Sequence, residues 1–166
     1  MREEIGTYDA YGETMEQLRA GGLLLVSGKQ GNPMTIGWGT VGVIWSRPIF
    51  VVLVRPSRYT FGFIEECGEF SVNVPTDGLK REVALCGSKS GRDVDKIEQC
   101  KFTLETGISI SVPHIKECPI HYECRVVHKN NVINADLAQE IVQQSYPSGD
   151  FHRVYYGQIQ GVYRET

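Results

Sequence analysis

From Val41 to Val54 the chain reads Val-Gly-Val-Ile-Trp-Ser-Arg-Pro-Ile-Phe-Val-Val-Leu-Val, its best apolar run, and Arg47-Pro48 breaks it. A proline at the centre is incompatible with a helix interior, and β-branched residues dominate both halves. The run therefore predicts two strands. It is also too short and interrupted for a membrane span, which needs about 18 uninterrupted apolar residues. Further strands are expected at Leu23 to Ser27, from about Met34 to Trp45, at Ile49 to Val54, Glu69 to Val74, Phe102 to Thr106, Ile108 to Val112, Ile120 to Val127, Val132 to Ala135 and Val154 to Tyr163. Short helices are expected at residues 12 to 20, Tyr59 to Cys67, Leu79 to Cys86 and Arg92 to Glu98, with a turn or short helix at Asp136 to Gln144. Gly68 supplies a stop for the second of these. Period-two segments outweigh helices, so a mainly β, barrel-like domain with helical crossings is favoured over a regular βαβ array.

With 166 residues the chain has room for one well-filled domain, taken as residues 1–166, and collapse requires neither metal nor disulfide. Seventeen basic and twenty acidic side chains give a formal charge of −3 with no long basic run, which argues against general nucleic-acid binding while leaving room for a local phosphate pocket. The amino end carries Glu3 and Glu4 and has no signal-peptide hydrophobic region, and five cysteines show no disulfide spacing. A cytoplasmic protein with reduced thiols is the expectation.

Several patterns invite a chemical reading. Gly37-Trp-Gly-Thr-Val-Gly42 satisfies G-x-G-x-x-G, but strand-forming residues follow where a dinucleotide fold needs a helix to open. A glycine-relieved strand, or a strand passing close to a flat cofactor, fits better. Gly87-Ser-Lys-Ser-Gly91 is not a Walker motif, yet Lys89, Ser88, Ser90 and nearby N–H groups suit an anion as well as an ordinary polar turn. The following Arg92-Asp-Val-Asp-Lys96 reads as surface ion pairs, or as bringing Arg92 to a ligand. Cys118-Pro-Ile-His-Tyr-Glu-Cys124 is not expected to bind metal, because an extended chain separates its cysteines by roughly 20 Å. The other cysteines read as ordinary thiols, with a redox role for Cys86 left open. His152 follows Ser148-Gly-Asp-Phe at the entry to a late strand, where it faces a ligand pocket or serves structure.

A set of stretches then falls in order along most of the chain: Asn32-Pro-Met-Thr-Ile-Gly-Trp-Gly39, Trp45-Ser-Arg-Pro48, Val54-Arg-Pro-Ser-Arg-Tyr-Thr60, Glu69-Phe-Ser-Val-Asn73, Cys86-Gly-Ser-Lys-Ser-Gly-Arg-Asp-Val-Asp-Lys96 and Gly149-Asp-Phe-His-Arg153. As a set they resemble the flavin reductase-like family, which binds FMN in a split β-barrel and includes the flavoredoxins. The resemblance implies an FMN site at a homodimer interface. It places the isoalloxazine beside Asn32, Met34, Thr35, Ile36, Gly37 and Trp38, and the phosphate near Arg55, Ser57, Arg58, Tyr59 and Thr60, with Lys89 and Ser90 as further phosphate contacts. The residue chemistry agrees: Arg58 suits a charge-assisted fork, and Ser57 and Thr60 offer hydroxyls. Surface charge is the alternative for Arg55 and Arg58, and structural packing the alternative for Trp38 and Trp45. His152 is the candidate catalytic residue, shaping the substrate pocket or stabilising developing charge.

The function so implied is an FMN-dependent oxidoreductase, an NAD(P)H:flavin reductase or an allied small reductase, with NADH or NADPH as transient donor. The alternatives are a flavoredoxin-like electron carrier served by a redox-protein partner, and a non-catalytic flavin-binding protein.

Overall fold

A computed structural model describes residues 1–166. In chain order the elements are β1 (Arg2–Glu4), α1 (Tyr11–Ala20), β2 (Leu23–Ser27), β3 (Asn32–Ile36), β4 (Gly39–Ile44), β5 (Arg47–Val54), α2 (Tyr59–Cys67), β6 (Glu69–Val74), α3 (Lys80–Ser88), α4 (Lys96–Cys100), β7 (Leu104–Glu105), β8 (His114–Ile115), β9 (Ile120–Asn131), α5 (Gln139–Ser145) and β10 (Arg153–Glu165). Every strand pairing is antiparallel. The main sheet runs β3-β2-β6-β9-β10-β5-β4, with β1 added to β10, while β7 and β8 form a separate pair. The sheet curls until its distant members β3 and β5 come close, and that seam positions the site described below.

β2 shows how the sequence organises two cores. All five of its residues are buried, and they alternate: Leu23 and Leu25 join a 20-residue cluster that includes Phe50, Phe70, Tyr122 and Tyr155. Leu24 and Val26 face the other way, into a 10-residue cluster with Val83, Cys86, Cys100 and Phe102. A strand buried on both faces reads as a continuous apolar run, as Leu-Leu-Leu-Val does. The same division separates Cys118 from Cys124, which belong to different clusters. No helix is long and apolar enough to cross a membrane.

The hairpin within the long apolar run turns at Trp45 and Ser46, both with positive φ (54° and 55°). A two-residue turn of that kind matches the twist of antiparallel strands. Arg47 and Pro48 are thus the first residues of β5 rather than the turn itself, and Pro48 lies just outside the stretch of β5 paired with β10.

Four strand expectations are corrected. The stretch from about Met34 to Trp45 divides at Gly37 and Trp38 into β3 and β4. Ile108 to Val112 forms bends, because carboxylates take its amides: Glu123 accepts from the N–H groups of Ile108 and Ser109, and Glu69 from that of Ser111. Val132 to Ala135 is not a strand; β9 instead extends to Asn131, and a 3-10 turn follows at Asn134–Asp136. Phe102 to Thr106 contracts to the two residues of β7. The helix expected at Arg92 to Glu98 begins later, at Lys96, where the Asp95 side chain accepts from the Glu98 N–H and caps α4. By contrast α2 ends where expected, with Gly68 at φ 67°.

Gly157 sits at a register shift between β10 and β9, and a Cβ there would lie 2.8 Å from Phe70 Cε1, 2.9 Å from Cys124 Cβ and closer still to Phe70 Cζ. Gly42, also in a strand, has open space at that point. Gly157→Ala is therefore expected to lower stability by about 2 kcal/mol in urea unfolding, while Gly42→Ala stays within about 0.5 kcal/mol. Equal effects at the two positions would refute the packing account.

Candidate functional site

Two cavities lie side by side along the β3 edge. The first, about 210 Å³, is lined by Met34, Thr35, Ile36, Gly37 and Trp38 from β3 and its exit, with Leu53, Arg55, Arg58 and His152 opposite. The second, about 140 Å³, is lined by Ser57, Arg58, Tyr59, Thr60, Ser88, Lys89, Ser90, Arg92 and Lys96. Arg58 borders both. Each is smaller than the roughly 300 Å³ typical of a pocket that encloses a drug-sized molecule, so a ligand of that size would extend across both or into solvent.

The second cavity has four cationic side chains, several hydroxyls and no carboxylate in its lining. The amino end of α2 opens beside it, where the first N–H groups of a nine-residue helix have no intrahelical acceptor. Lys96 is the residue the sequence reading missed: its side chain is buried, and its Nζ donates to the carbonyls of Pro33 and Cys86 at 3.0 Å each. Burial pulls its pKa down to about 8, and the nearby Arg58 guanidinium adds to that. Neither Lys96 nor Arg92 makes the surface ion pair considered from sequence; Arg92 lies over the Tyr59 ring and donates to Ser57 O. Arg58 donates to the Gly87 and Cys86 carbonyls, and burial lowers its pKa as well. Ser88 is exposed in the same lining, as is Lys89, whose side chain makes no bond within the protein.

Close packing joins the loop after α3 to β3. A Cβ on Gly87 would touch Thr35 Cβ at 3.3 Å, and one on Gly91 would meet Tyr59 Cδ1 at 2.7 Å and collide with Asn32 Oδ1. Asn32 is occupied structurally, donating from Nδ2 to Thr60 Oγ1 at 2.7 Å. Thr35 likewise donates its hydroxyl to Val83 O at 2.5 Å, so its hydrogen is not free for a ligand.

Arg55 is placed differently from the sequence expectation. It borders the first cavity, not the cationic one, and its guanidinium donates to Ser145 O, Gly149 O and Asp150 O, which pins the turn leading to His152. Ser57 closes that turn from the other side by donating to Asp150 Oδ2 at 2.5 Å. Trp38 and Trp45 are both substantially exposed, at 43% and 55%, so neither is a core residue. Trp38 stands at the first cavity with its ring 4.8 Å from that of His152, and Trp45 packs on His128 and Tyr156. Cys86 is fully buried 3.9 Å from the Cys100 sulfur, and burial followed by that neighbour pushes its thiol up to about 12. A thiol so rarely ionised is a poor nucleophile.

A separate polar group lies away from the cavities. His114, His121 and Glu123 bring one potential ligand atom each within 4.8 Å of one another. The two imidazoles are stacked with centroids 3.8 Å apart and planes 6° from parallel. Parallel stacked rings do not aim their in-plane lone pairs at a common point, and Arg2 Nη1 lies 3.2 Å from His121 Nδ1. His121 Nε2 is paired with Glu123 at 3.2 Å, so the group reads as a hydrogen-bonded clamp for β1 rather than a coordination site.

Comparisons with known proteins bear on the family and the fold. Residues 15–166 match the family described as flavin reductase like domain, and the chain belongs to that family. A curated but uncharacterized protein of Archaeoglobus fulgidus is 43% identical over 105 residues, covering 63% of this chain and 59% of the relative. The match thus spans less than two thirds of that relative's length. Among solved structures, a flavoredoxin from Methanosarcina acetivorans is 31% identical with a TM-score of 0.69, covering 87% of this chain and 68% of that one. An FMN-binding domain of a flavin reductases-like enzyme from Shewanella baltica matches 99% of this chain and 77% of its own at 20% identity and a TM-score of 0.70, a likeness of fold. The fold is the split β-barrel of this family.

Burial, then His121 and Arg2, pulls the pKa of His114 down to about 4, and burial foremost lowers that of His121. These imidazoles are neutral in the fold, whereas the unfolded chain takes up their protons near pH 6.5. The contribution of His114 is complete above about pH 6.5 and is lost as pH falls toward 4, and that of His121 changes in the same sense. Urea midpoints should therefore decline between pH 7.5 and 4.5, and His114→Gln should flatten the decline. A variant slope identical to that of the parent would contradict this.

Proposed function

We propose that the chain binds FMN across the two cavities and works as an FMN-dependent oxidoreductase, an NAD(P)H:flavin reductase or allied small reductase. The observation that carries the reading is the carboxylate-free cavity formed by Arg58, Lys89, Arg92 and Lys96 in a protein whose net charge is −3. Clustered cations without counter-charge, Lys96 buried and Arg58 half-buried among them, favour an anion, and a phosphate with hydroxyl and N–H donors around it fits the residues present. Met34 to Trp38 would hold the flat ring, with His152 facing it. When bound, flavin supplies hydride and electron chemistry; the protein contributes placement, exclusion of water and hydrogen-bond donors.

A homodimer is part of the proposal. Supporting it, the first cavity is small and open, and the exposed Trp38 stands at it, so a second copy would cover the ring that one chain leaves in solvent. A flavoredoxin-like carrier is the second reading, favoured by the likeness to the Methanosarcina flavoredoxin. In that case the donor is a redox protein rather than a nicotinamide.

Purified protein should carry or take up FMN at micromolar concentration with a perturbed flavin absorbance; no uptake would end the proposal. Anaerobic mixing with NADH or NADPH should bleach the bound flavin rapidly, and failure with both would turn the assignment to the carrier. Arg58→Ala should weaken FMN binding by about 2 kcal/mol, roughly 30-fold in Kd, because it removes a cation common to both cavities. Unchanged affinity would remove Arg58 from the anchor.

A further inference from the structure

The turn before β10 contains a residue that the reading above does not use. Tyr146 follows α5, is only 4% exposed, and places its hydroxyl 2.7 Å from His152 Nδ1. Its ring is fixed on both sides, by Phe151 stacked at 4.6 Å and by the Arg55 guanidinium 4.9 Å from its centroid. Gly149 and Asp150, with φ of 78° and 54°, turn the chain so that His152 comes back against it. His152 in turn borders the cavity formed by Met34 to Trp38, and its Nε2 makes no bond within the protein and is not sealed from solvent.

The direction of the Tyr146–His152 hydrogen bond follows from what else each group can do. Nδ1 is the one side-chain partner of the Tyr146 hydroxyl. Were Nδ1 to carry the hydrogen, the phenolic O–H would be left without an acceptor in a nearly closed space, which is unfavourable. Donation from Tyr146 satisfies both atoms. A neutral imidazole that accepts at Nδ1 must carry its hydrogen on Nε2. We infer that Tyr146 is a positioning residue that locks His152 in the Nε2–H tautomer, so the cavity offers its ligand a hydrogen-bond donor and favours a molecule with a lone-pair oxygen or nitrogen there.

Burial foremost, then the Arg55 charge, holds the His152 pKa down to about 4, with Asp150 acting weakly in the opposite sense. Arg55 and Asp150 are the charged groups that bear on the ring, and both remain when Tyr146 is changed. The identity of the ligand rests on the flavin proposal; the tautomer does not. An imidazole held as a donor cannot act as a general base through Nε2, which limits His152 to orienting the ring system or stabilising negative charge that develops on it.

The test begins with the flavin-free, ¹⁵N-labelled chain. Long-range ¹H–¹⁵N spectra at pH 7 should show Nε2 protonated and Nδ1 bare, and the His152 ring protons should not titrate between pH 7.5 and 5.5. Tyr146→Phe keeps the ring stack but removes the hydroxyl, so the hydrogen should redistribute between the nitrogens while the low titration midpoint, set by burial and Arg55, stays. An Nδ1–H tautomer in the parent, or a variant whose tautomer is unchanged, overturns the lock. With FMN as the probe, His152→Leu should weaken binding about fivefold and His152→Gln, which retains an N–H donor, should recover most of that. Equal affinities in all three proteins would overturn the donor's part in ligand selection. If FMN binds none of them while the tautomer holds, the flavin proposal fails and the lock stands.

Discussion

The carbonyl oxygen of Cys86 accepts from two cations, Arg58 Nη2 at 3.1 Å and Lys96 Nζ at 3.0 Å. The same two side chains reach Gly87 O and Pro33 O. Between them they tie the start of α2, the end of α3, the start of α4 and the edge strand β3 to one point. Both sit where burial disfavours charge, and both remain without a carboxylate partner. Backbone carbonyls solvate them in part, but the site retains an excess of positive charge directed into a cavity. An anion seated there would relieve the mutual repulsion, raise the Lys96 pKa and hold the four segments together more firmly.

Binding energy and local stability are therefore coupled at this point. The end of α3 and the loop that follows it carry Ser88, Lys89 and Ser90 beside the cations, and they close on β3 through contacts that only glycine permits at 91 and that leave little room at 87. On the far side of Arg58, Arg55 holds the turn that delivers His152. One end of the site is lined by cations and hydroxyls and the other by Met34 to Trp38 with His152. That division suits a phosphorylated ring system better than either half suits a smaller ligand alone.

Much of this was legible in the sequence where local chemistry decides structure. The span of α2, its Gly68 stop and the strand β2 follow from spacing and residue type. Arg58, Tyr59, Thr60, Lys89 and Ser90 were expected together and line one cavity, while Met34 to Trp38 line the next. Distant partners governed what was not legible. Ile108 to Val112 alternates as a strand does, but Glu123 and Glu69, remote in sequence, take its amides. Lys96 stands among charged residues and reads as surface, yet it is the first residue of α4, behind the Asp95 cap, and its side chain is buried. Arg55 had the right charge, but three carbonyls from one turn occupy it. Nothing in the residues around Tyr146 indicates that its hydroxyl meets an imidazole nitrogen six positions on.

The central claim is that the cationic cavity is a phosphate anchor for a flavin lying along β3. Comparing FMN with riboflavin, which lacks the phosphate, in equilibrium titrations of the flavin-free protein tests it most directly. FMN should bind at least about 100-fold more tightly, equivalent to about two charge-assisted hydrogen bonds, and the difference should shrink as salt is added. Equal affinity for the two flavins at low salt would contradict the account.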